Sequence, residues 1–475
     1  MFNYLFEDKQ FYKTLMHLAI PIAAQNLVSS SLNMVDTIMI GGLGEIEIAA
    51  VGQANQLFFL FTLLIFGINS GSAIFTAQFW GKRDVKNIRR VLGIGLMTSI
   101  IAAVFFTVLA LIFPKQVMSI FSSDIVVITV GSDYLRIVGW SYVITAITFT
   151  FSSILRSTEQ AKIPMIFSIV ALLTNTVLNY VLIFGKFGFP MLGVKGAAIA
   201  TVIARVLETV LMLVFVYAKK HVPAASIKEM LDLSMDFVKK FFKTTIPVIL
   251  NESLWALGMT VYAVVYGRIG TGAVAAVNIS GTVEKIAMVL FFGISNAAAV
   301  MIGNRIGAGE EDKAYDYAKK LLTLGSLLAV VMGAILILSS GFILTFFNIS
   351  YEVSLAAQRI LWIFALFMPI KMFNLINIVG VLRSGGDTKF SLFLDVVGVW
   401  AIGIPLALFS GILLGLPVYW VVLMVAADEV FKIIFGFRRF TTRKWINNLV
   451  HHMSNKNIVD QSLEILAPPI NETII

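Results

Sequence analysis

The chain has 475 residues, of which 58% are hydrophobic and only 13% charged, and its formal net charge is +9. A mean hydropathy of +0.90 excludes an ordinary soluble domain, and the lack of cysteine excludes disulfides, thiolate metal sites and cysteine nucleophiles. Four histidines, of which His451 and His452 lie near the C-terminus, leave no spaced ligand set for a zinc or haem enzyme.

Apolar windows of about 20 residues, the length that crosses roughly 30 Å of hydrocarbon, recur along nearly the whole chain. Twelve are counted, centred near residues 27, 66, 102, 143, 174, 206, 253, 291, 332, 368, 402 and 427. The first is not a signal peptide, because it lacks a small-residue cleavage site and is followed at once by further spans. Basic residues gather in alternate loops: Arg83, Lys86, Arg89 and Arg90 after span 2, Arg156 and Lys162 after span 4, Lys219 and Lys220 after span 6, Arg305 and Lys313 after span 8, Arg383 and Lys389 after span 10. The positive-inside rule then puts both termini in the cytoplasm and reads these loops as orientation signals.

In span 1, Gln25, Ser29, Asn33 and Asp36 follow the spacing i, i+4, i+8, i+11 and share one helical face. An Asp at the centre of a membrane helix costs roughly 2.5–3.5 kcal/mol on insertion scales, so Asp36 needs a partner, a pore or a task, and an ion or proton path is the favoured one. Pro21, Pro247, Pro369 and Pro405 lie within spans, where they permit kinks or hinges. Span 5 carries Asn175 and Asn179 one turn apart, and span 6 carries Thr201. With Asp36 these neutral oxygens would make a hard-cation site for Na+ or, with the carboxylate protonated, an H+ site; paired Asn also serves as helix-packing glue.

A basic stretch, 219–243, leads to span 7, where Glu252 precedes Trp255, Met259, Tyr262 and Tyr266 at helical spacing. An acid beside aromatic faces suits a lipophilic cation, and the same aromatics also suit lipid and headgroup packing. Glu284 and Lys285 of span 8 need separate partners, while Lys371 of span 10 and Asp395 of span 11 are placed to pair as a structural ion pair or a charge relay. The C-terminal stretch from about residue 445 is polar and has no span-length apolar run; its sequon Asn471-Glu472-Thr473 falls on the cytoplasmic side, where it is inert. No Walker-type motif occurs, so ATP hydrolysis would need another subunit.

The chain also repeats itself. Slid along itself, it aligns "IPIAAQNLVSSSLNMVDTIMIGGLGEIEIAAVGQ" with "IPVILNESLWALGMTVYAVVYGRIGTGAVAAVNI" without a gap, pairing Pro21 with Pro247, Gly44 with Gly270, Gly67 with Gly293 and Gly81 with Gly307. In the same register Tyr262 stands opposite Asp36 and Glu252 opposite Asn26. One further step of the slide brings "LRSTEQAK", from Leu155, onto "LRSGGDTK", from Leu382. The expected fold is therefore an all-α polytopic membrane protein with twelve transmembrane helices in two parallel-oriented six-helix lobes around a central cleft. The expected divisions are an N-terminal lobe at 1–218, a cytoplasmic linker at 219–243, a C-terminal lobe at 244–440 and a cytoplasmic tail at 441–475.

These features resemble the multidrug and toxic compound extrusion family over roughly residues 10–440. The resemblance rests on "IPIAAQNLVSSSLNMVDTIMIGGLG", "INSGSAIFTAQFWGKRD", "NTVLNYVLIFG", "KGAAIATVIAR", "IGNRIGAGE" and "VLRSGGDTKF". It implies that Asp36 is a central cation-coupling residue and that Glu252 serves coupling or substrate, as in the bacterial sodium- or proton-coupled drug-efflux branch. Two departures stand out. The branch with acids only in the first lobe has an Asp where this chain has Asn179, and the drug-efflux branch has a span-10 Asp that is missing around Lys371, Asn374 and Asn377. Asp395 is the candidate substitute.

The reading at this level is a secondary active antiporter, not an enzyme, that exports amphipathic, cationic organic compounds in exchange for Na+ or H+ by alternating access. Cation coupling falls to Asp36, Asn175, Asn179, Thr201 and Glu252, and substrate binding to Gln25, Asn33, Glu252, Trp255, Met259 and Tyr262, with Glu284, Lys371 and Asp395 as secondary candidates. No cofactor, no resident metal and no nucleic-acid partner is expected, and the chain is expected to act as a monomer in a prokaryotic plasma membrane. The alternative is a lipid-linked precursor flippase of the same superfamily, disfavoured because such proteins usually have more spans and a more basic cavity. A polytopic membrane enzyme is disfavoured for want of a nucleophile–base or metal constellation.

Overall fold

The computed structural model describes residues 8–347 and 349–451; the side chain of Asn33, His452 and the Asn471 sequon lie outside the described residues. The described chain is helical throughout. The first half contains α1 (Lys9–Gly41), α2 (Glu45–Gly81), α3 (Val85–Ile112), α4 (Pro114–Phe121), α5 (Ile125–Val138), α6 (Trp140–Ser157), α7 (Lys162–Phe184) and α8 (Val194–Ala218). A short α9 (Ile227–Leu231) leads to α10 (Met235–Ile269), α11 (Thr271–Gly307), α12 (Glu311–Leu344) and α13 (Tyr351–Leu375), which continues as a π-helix over Ile376–Arg383. Then come α14 (Thr388–Val396), prolonged to Leu413 through two π-helical stretches, α15 (Val418–Val425) and α16 (Ala427–Thr441).

Ten helices are long and apolar enough to cross a membrane, and α5 with α6, bent by 49° at Gly139, makes an eleventh. The twelfth window is filled by α15 and α16. Its second part opens on Asp428 and Glu429 and contains Lys432, which takes it below the apolarity of the other spans. Helix α10 begins at Met235, inside the stretch read as linker, because Ser234 caps its first turn by accepting from the Phe237 N–H.

The two halves exchange helix ends. Phe11, Leu15, Leu18 and Ile22 of α1 sit in the core of the second half, while Phe237 and Phe241 of α10 sit in a core of the first. Between them, α2 and α11 cross at the glycines that the repeat had singled out. A Cβ on Gly81 would lie 2.0 Å from the Asn304 carbonyl oxygen, and one on Gly307 would lie 1.8 Å from that of Gln78. The contact is symmetric, since Gln78 and Asn304 are themselves repeat partners in the register that pairs the two glycines, and only glycine permits it. Gly44 and Gly270 open α2 and α11 at φ of 152° and 145°, which explains their fixed place in the repeat.

The stretch read as a polar tail begins as packed structure. Trp445 is fully buried and its indole N–H donates to the Phe440 carbonyl at 3.1 Å; Val450 is buried too. Gln78 of α2 donates to the Ser384 and Asn447 carbonyls and accepts from the Leu449 N–H, while Asn448 donates to the Ile306 carbonyl at 2.8 Å. Residues 445–450 thus strap the two halves together at one end, a role that depends on backbone groups and leaves no hydropathy signal.

Candidate functional site

Of the polar residues on one face of span 1, Gln25 and Asp36 meet α7, while Ser29 is exposed. Asn179 donates from Nδ2 to the Asp36 carboxylate and, at 3.0 Å, to Asn175 Oδ1. Asn175 in turn donates to Thr201 Oγ1 at 3.4 Å, and that hydroxyl donates to the Ala197 carbonyl. The four residues expected to form a cation site are therefore brought together from α1, α7 and α8. Asn175 and Asn179 are fully buried, Asp36 is half-buried, and Asn179 Oδ1 has no partner. Among the described residues no group of three His, Cys, Asp or Glu side chains is placed to hold a metal, so one carboxylate and neutral oxygens are what this site offers a cation.

Further back along α1 the same helix face serves a different network. Gln25 donates to Ser168 at 3.2 Å, and Ser168 donates to Glu208 at 2.7 Å. Glu208 is held by Arg205 at 2.9 Å, and Arg156 donates to Gln25 Oε1 at 3.4 Å. Gln25 is thus consumed by a buried structural network and does not line an open face, and Ser29 is exposed. Arg205 and Glu208 were not singled out in the sequence; a charged pair three residues apart inside span 6 was the available signal.

In the second half Glu252 turns to Arg383, which donates to it at 2.7 Å with both side chains largely buried. Trp255 and Met259 are exposed, whereas Tyr262 is buried with an unpartnered hydroxyl, so the aromatic face next to Glu252 is divided. The expected Lys371–Asp395 pair does not form. Lys371 reaches Glu284 on α11 at 2.8 Å, and Asp395 faces Lys432 at 3.7 Å, because α16 inserts a base next to α14 that was passed over in the twelfth window.

Lys432 is the centre of that region. It lies within 3.1 Å of Asp428 and 3.9 Å of Glu429, and Asn374 donates to the Glu429 carboxylate at 2.8 Å. Continuing the register that superposes the two "LRS" segments pairs Gly188 with Gly415, Pro190 with Pro417, Thr201 with Asp428 and Arg205 with Lys432. In the same register Asp395 stands opposite Ser168, while Ile402 and Leu406 stand opposite Asn175 and Asn179. The second half therefore places its charge cluster where the first half has Thr201 and the Ser168–Arg205 network, and it keeps no counterpart of the two Asn. In span interiors the carboxylates are Asp36, Glu208, Glu252, Glu284, Asp395, Asp428 and Glu429. All but Asp36 stand in an ion pair with a basic side chain, and Asp36 is the exception among the described residues.

The model of the MatE family matches this chain twice, at residues 21–181 and 247–409, starting on the paired Pro21 and Pro247. The chain belongs to the MatE family. The two matches reproduce the internal repeat, one per six-span half. The chain is 28% identical over 445 residues to the uncharacterized transporter YisQ of Bacillus subtilis, covering 92% of this chain and 96% of that protein. It is 25% identical to the probable multidrug resistance protein YoeA of the same organism, over 91% of this chain and 94% of that one. A similar 25% relates it to the probable multidrug resistance protein NorM of Thermotoga maritima, over 93% and 95%. Among solved structures, an outward-facing multidrug resistance MATE family transporter superposes with a TM-score of 0.81 at 20% identity, covering 91% of this chain and 96% of that one. A transporter of the same superfamily from Pyrococcus furiosus gives 0.81 and 20% over 93% and 98%. These likenesses establish the two-lobed fold of a multi-pass membrane protein.

Proposed function

We propose that this chain is a secondary antiporter that exports amphipathic, cationic organic compounds in exchange for Na+ or H+ by alternating access, with both termini in the cytoplasm. The observation that carries the reading is the isolation of Asp36: in a membrane an unpaired carboxylate is costly, and this one is held by a neutral Asn–Asn–Thr chain. A cation removes that cost when it binds. Asp36 and Thr201 supply oxygens, the unpartnered Asn179 Oδ1 supplies another, and Asn175 fixes the Asn179 amide. If binding is tighter in one orientation of the lobes than in the other, the ion gradient drives the exchange.

Glu252 takes a second role. Its ion pair with Arg383 offers a cationic substrate a carboxylate for which it must compete, next to the exposed Trp255 and Met259. The names of the relatives, two of them probable multidrug resistance proteins, support this substrate class.

The test is efflux of a fluorescent organic cation from proteoliposomes with Na+ and pH gradients imposed separately, comparing wild type with Asp36→Asn. Gradient-driven efflux lost in the variant supports antiport and names the ion. Movement indifferent to both gradients and to the substitution overturns the coupling role of Asp36 and favours the lipid-linked precursor flippase.

A further inference from the structure

On the pseudo-twofold axis, between the lobes and beside the α2–α11 crossing, lies a small pocket whose walls come in repeat pairs. Ser70 faces the pocket with its repeat partner Asn296, Arg156 with Arg383, and Ser157 with Ser384. Both arginines were read as loop charges that orient the chain. The structure instead buries Arg383 and leaves Arg156 half-buried against the pocket, at the ends of the π-helical extension of α13 and of α6.

The pairs match in position but not in charge balance. Arg383 is neutralised by Glu252 at 2.7 Å. The corresponding partner of Arg156 is the neutral Gln25, through one contact at 3.4 Å, and no carboxylate pairs with Arg156 among the described residues. A half-buried guanidinium without a carboxylate partner is costly to keep, and an anion is the chemistry that relieves it. Beside it, Asn69 also lines the pocket, is 6% exposed and has neither its Nδ2 nor its Oδ1 satisfied. An unused amide donor and a guanidinium without a carboxylate, lining one pocket, are a donor set for planar or tetrahedral oxygens.

We propose that this axial pocket binds an oxyanion, a carboxylate or phosphate group, with Arg156 as its counter-charge and Asn69 Nδ2 as a neutral donor. The site is separate from the Asp36 cluster and does not depend on the antiport reading. Both donors come from the first half and the facing wall, with Asn296 and Ser384, from the second. An anion that also touches that wall therefore favours the lobe orientation in which the two walls meet.

The experiment uses the full chain in detergent, with thermal unfolding followed by tryptophan fluorescence. Sodium phosphate is titrated against sodium chloride at matched ionic strength, and dioctanoyl phosphatidylglycerol against dioctanoyl phosphatidylcholine. Wild type is compared with Arg156→Gln, Arg156→Lys and Asn69→Ala. Stabilisation by phosphate and phosphatidylglycerol identifies a site for free anions; stabilisation by phosphatidylglycerol alone identifies a headgroup site. In either case the half-saturating concentration rises about tenfold in Arg156→Gln, less in Arg156→Lys, and severalfold in Asn69→Ala. The same titration curve in wild type and both neutral variants, or no anion-specific stabilisation at all, overturns the proposal. If Arg156→Gln fails to fold, the comparison of Asn69→Ala with wild type decides alone.

Discussion

The two lobes place different chemistry on corresponding helices of the same fold. In the first, Asp36 rests on Asn179, Asn175 and Thr201 with no base in contact. In the second, Tyr262 replaces the acid, and the surrounding α14 and α16 bring Asp395, Asp428 and Glu429 onto the single base Lys432. A duplicated scaffold thus leaves the carboxylate of one lobe on neutral partners and sets those of the other against a base of its own. The difference teaches that a buried carboxylate means different things according to its company: an unpaired one carries a charge that nothing in the protein neutralises, whereas a paired one is already neutralised by its base.

That contrast is sharpest under substitution of the two centres. Asp36→Asn should abolish gradient-driven transport, by about 100-fold at the upper end of ordinary coupling free energies, while leaving the thermal unfolding temperature unchanged. Lys432→Met should do the opposite: stripping the one base from three buried acids should cost about 3–5 kcal/mol, read as a fall in unfolding temperature and in yield of folded protein. Adding Asp428→Asn and Glu429→Gln to Lys432→Met should recover part of it. A transport loss in Lys432→Met at normal stability would instead make the second lobe a coupling site and erase the distinction.

Trp445→Ala tests the strap near the second-lobe end. A fully buried indole with its N–H satisfied should cost about 3 kcal/mol on removal, measured by thermal unfolding. Thr201→Val should be milder, because one hydroxyl oxygen is worth about 1 kcal/mol; the cation concentration for half-maximal transport should rise about fivefold with normal stability.

The smallest expected effect lies at the water-facing start of α1, where Asp8 caps the helix and lies 3.4 Å from Lys320 of the second half. The Phe11 backbone N–H, outweighing an opposing effect of burial and helped by Lys320, holds the Asp8 carboxyl below its ordinary value. Its contribution is therefore fully present above about pH 4 and is lost as the pH falls through the lowered folded-state value. Asp8→Ala should cost about 1 kcal/mol at pH 7 and nothing once the pH is below that value, checked by unfolding as a function of pH.

Much of the first-lobe site was legible because it is written on helical spacing. Gln25 and Asp36 share a face, Asn175 and Asn179 are one turn apart, and periodicity is enough to say that such a stripe faces protein. The second-lobe site was harder to see, since Asp428, Glu429 and Lys432 fell in a window classed by its apolar average and were not weighed one by one. The pairing of Lys371 with Glu284 instead of Asp395 depends on which helix is the nearer neighbour, information that no span-by-span reading contains. The arginines of the repeated "LRS" motif were visible, but a basic residue at a span end looks the same whether it faces water or an internal pocket.

By itself, then, the sequence determined the all-helical membrane class, the two six-span halves and the fixed glycines, because hydropathy, periodicity and backbone sterics act locally along the chain. Only the tertiary structure decided which buried charges neutralise one another, that Asp36 is left over, that Arg156 faces an axial pocket, and that residues 445–450 strap the halves together. Those outcomes depend on distances between segments far apart in the chain, and electrostatic energy in a low-dielectric interior is set by distance and company rather than by residue type.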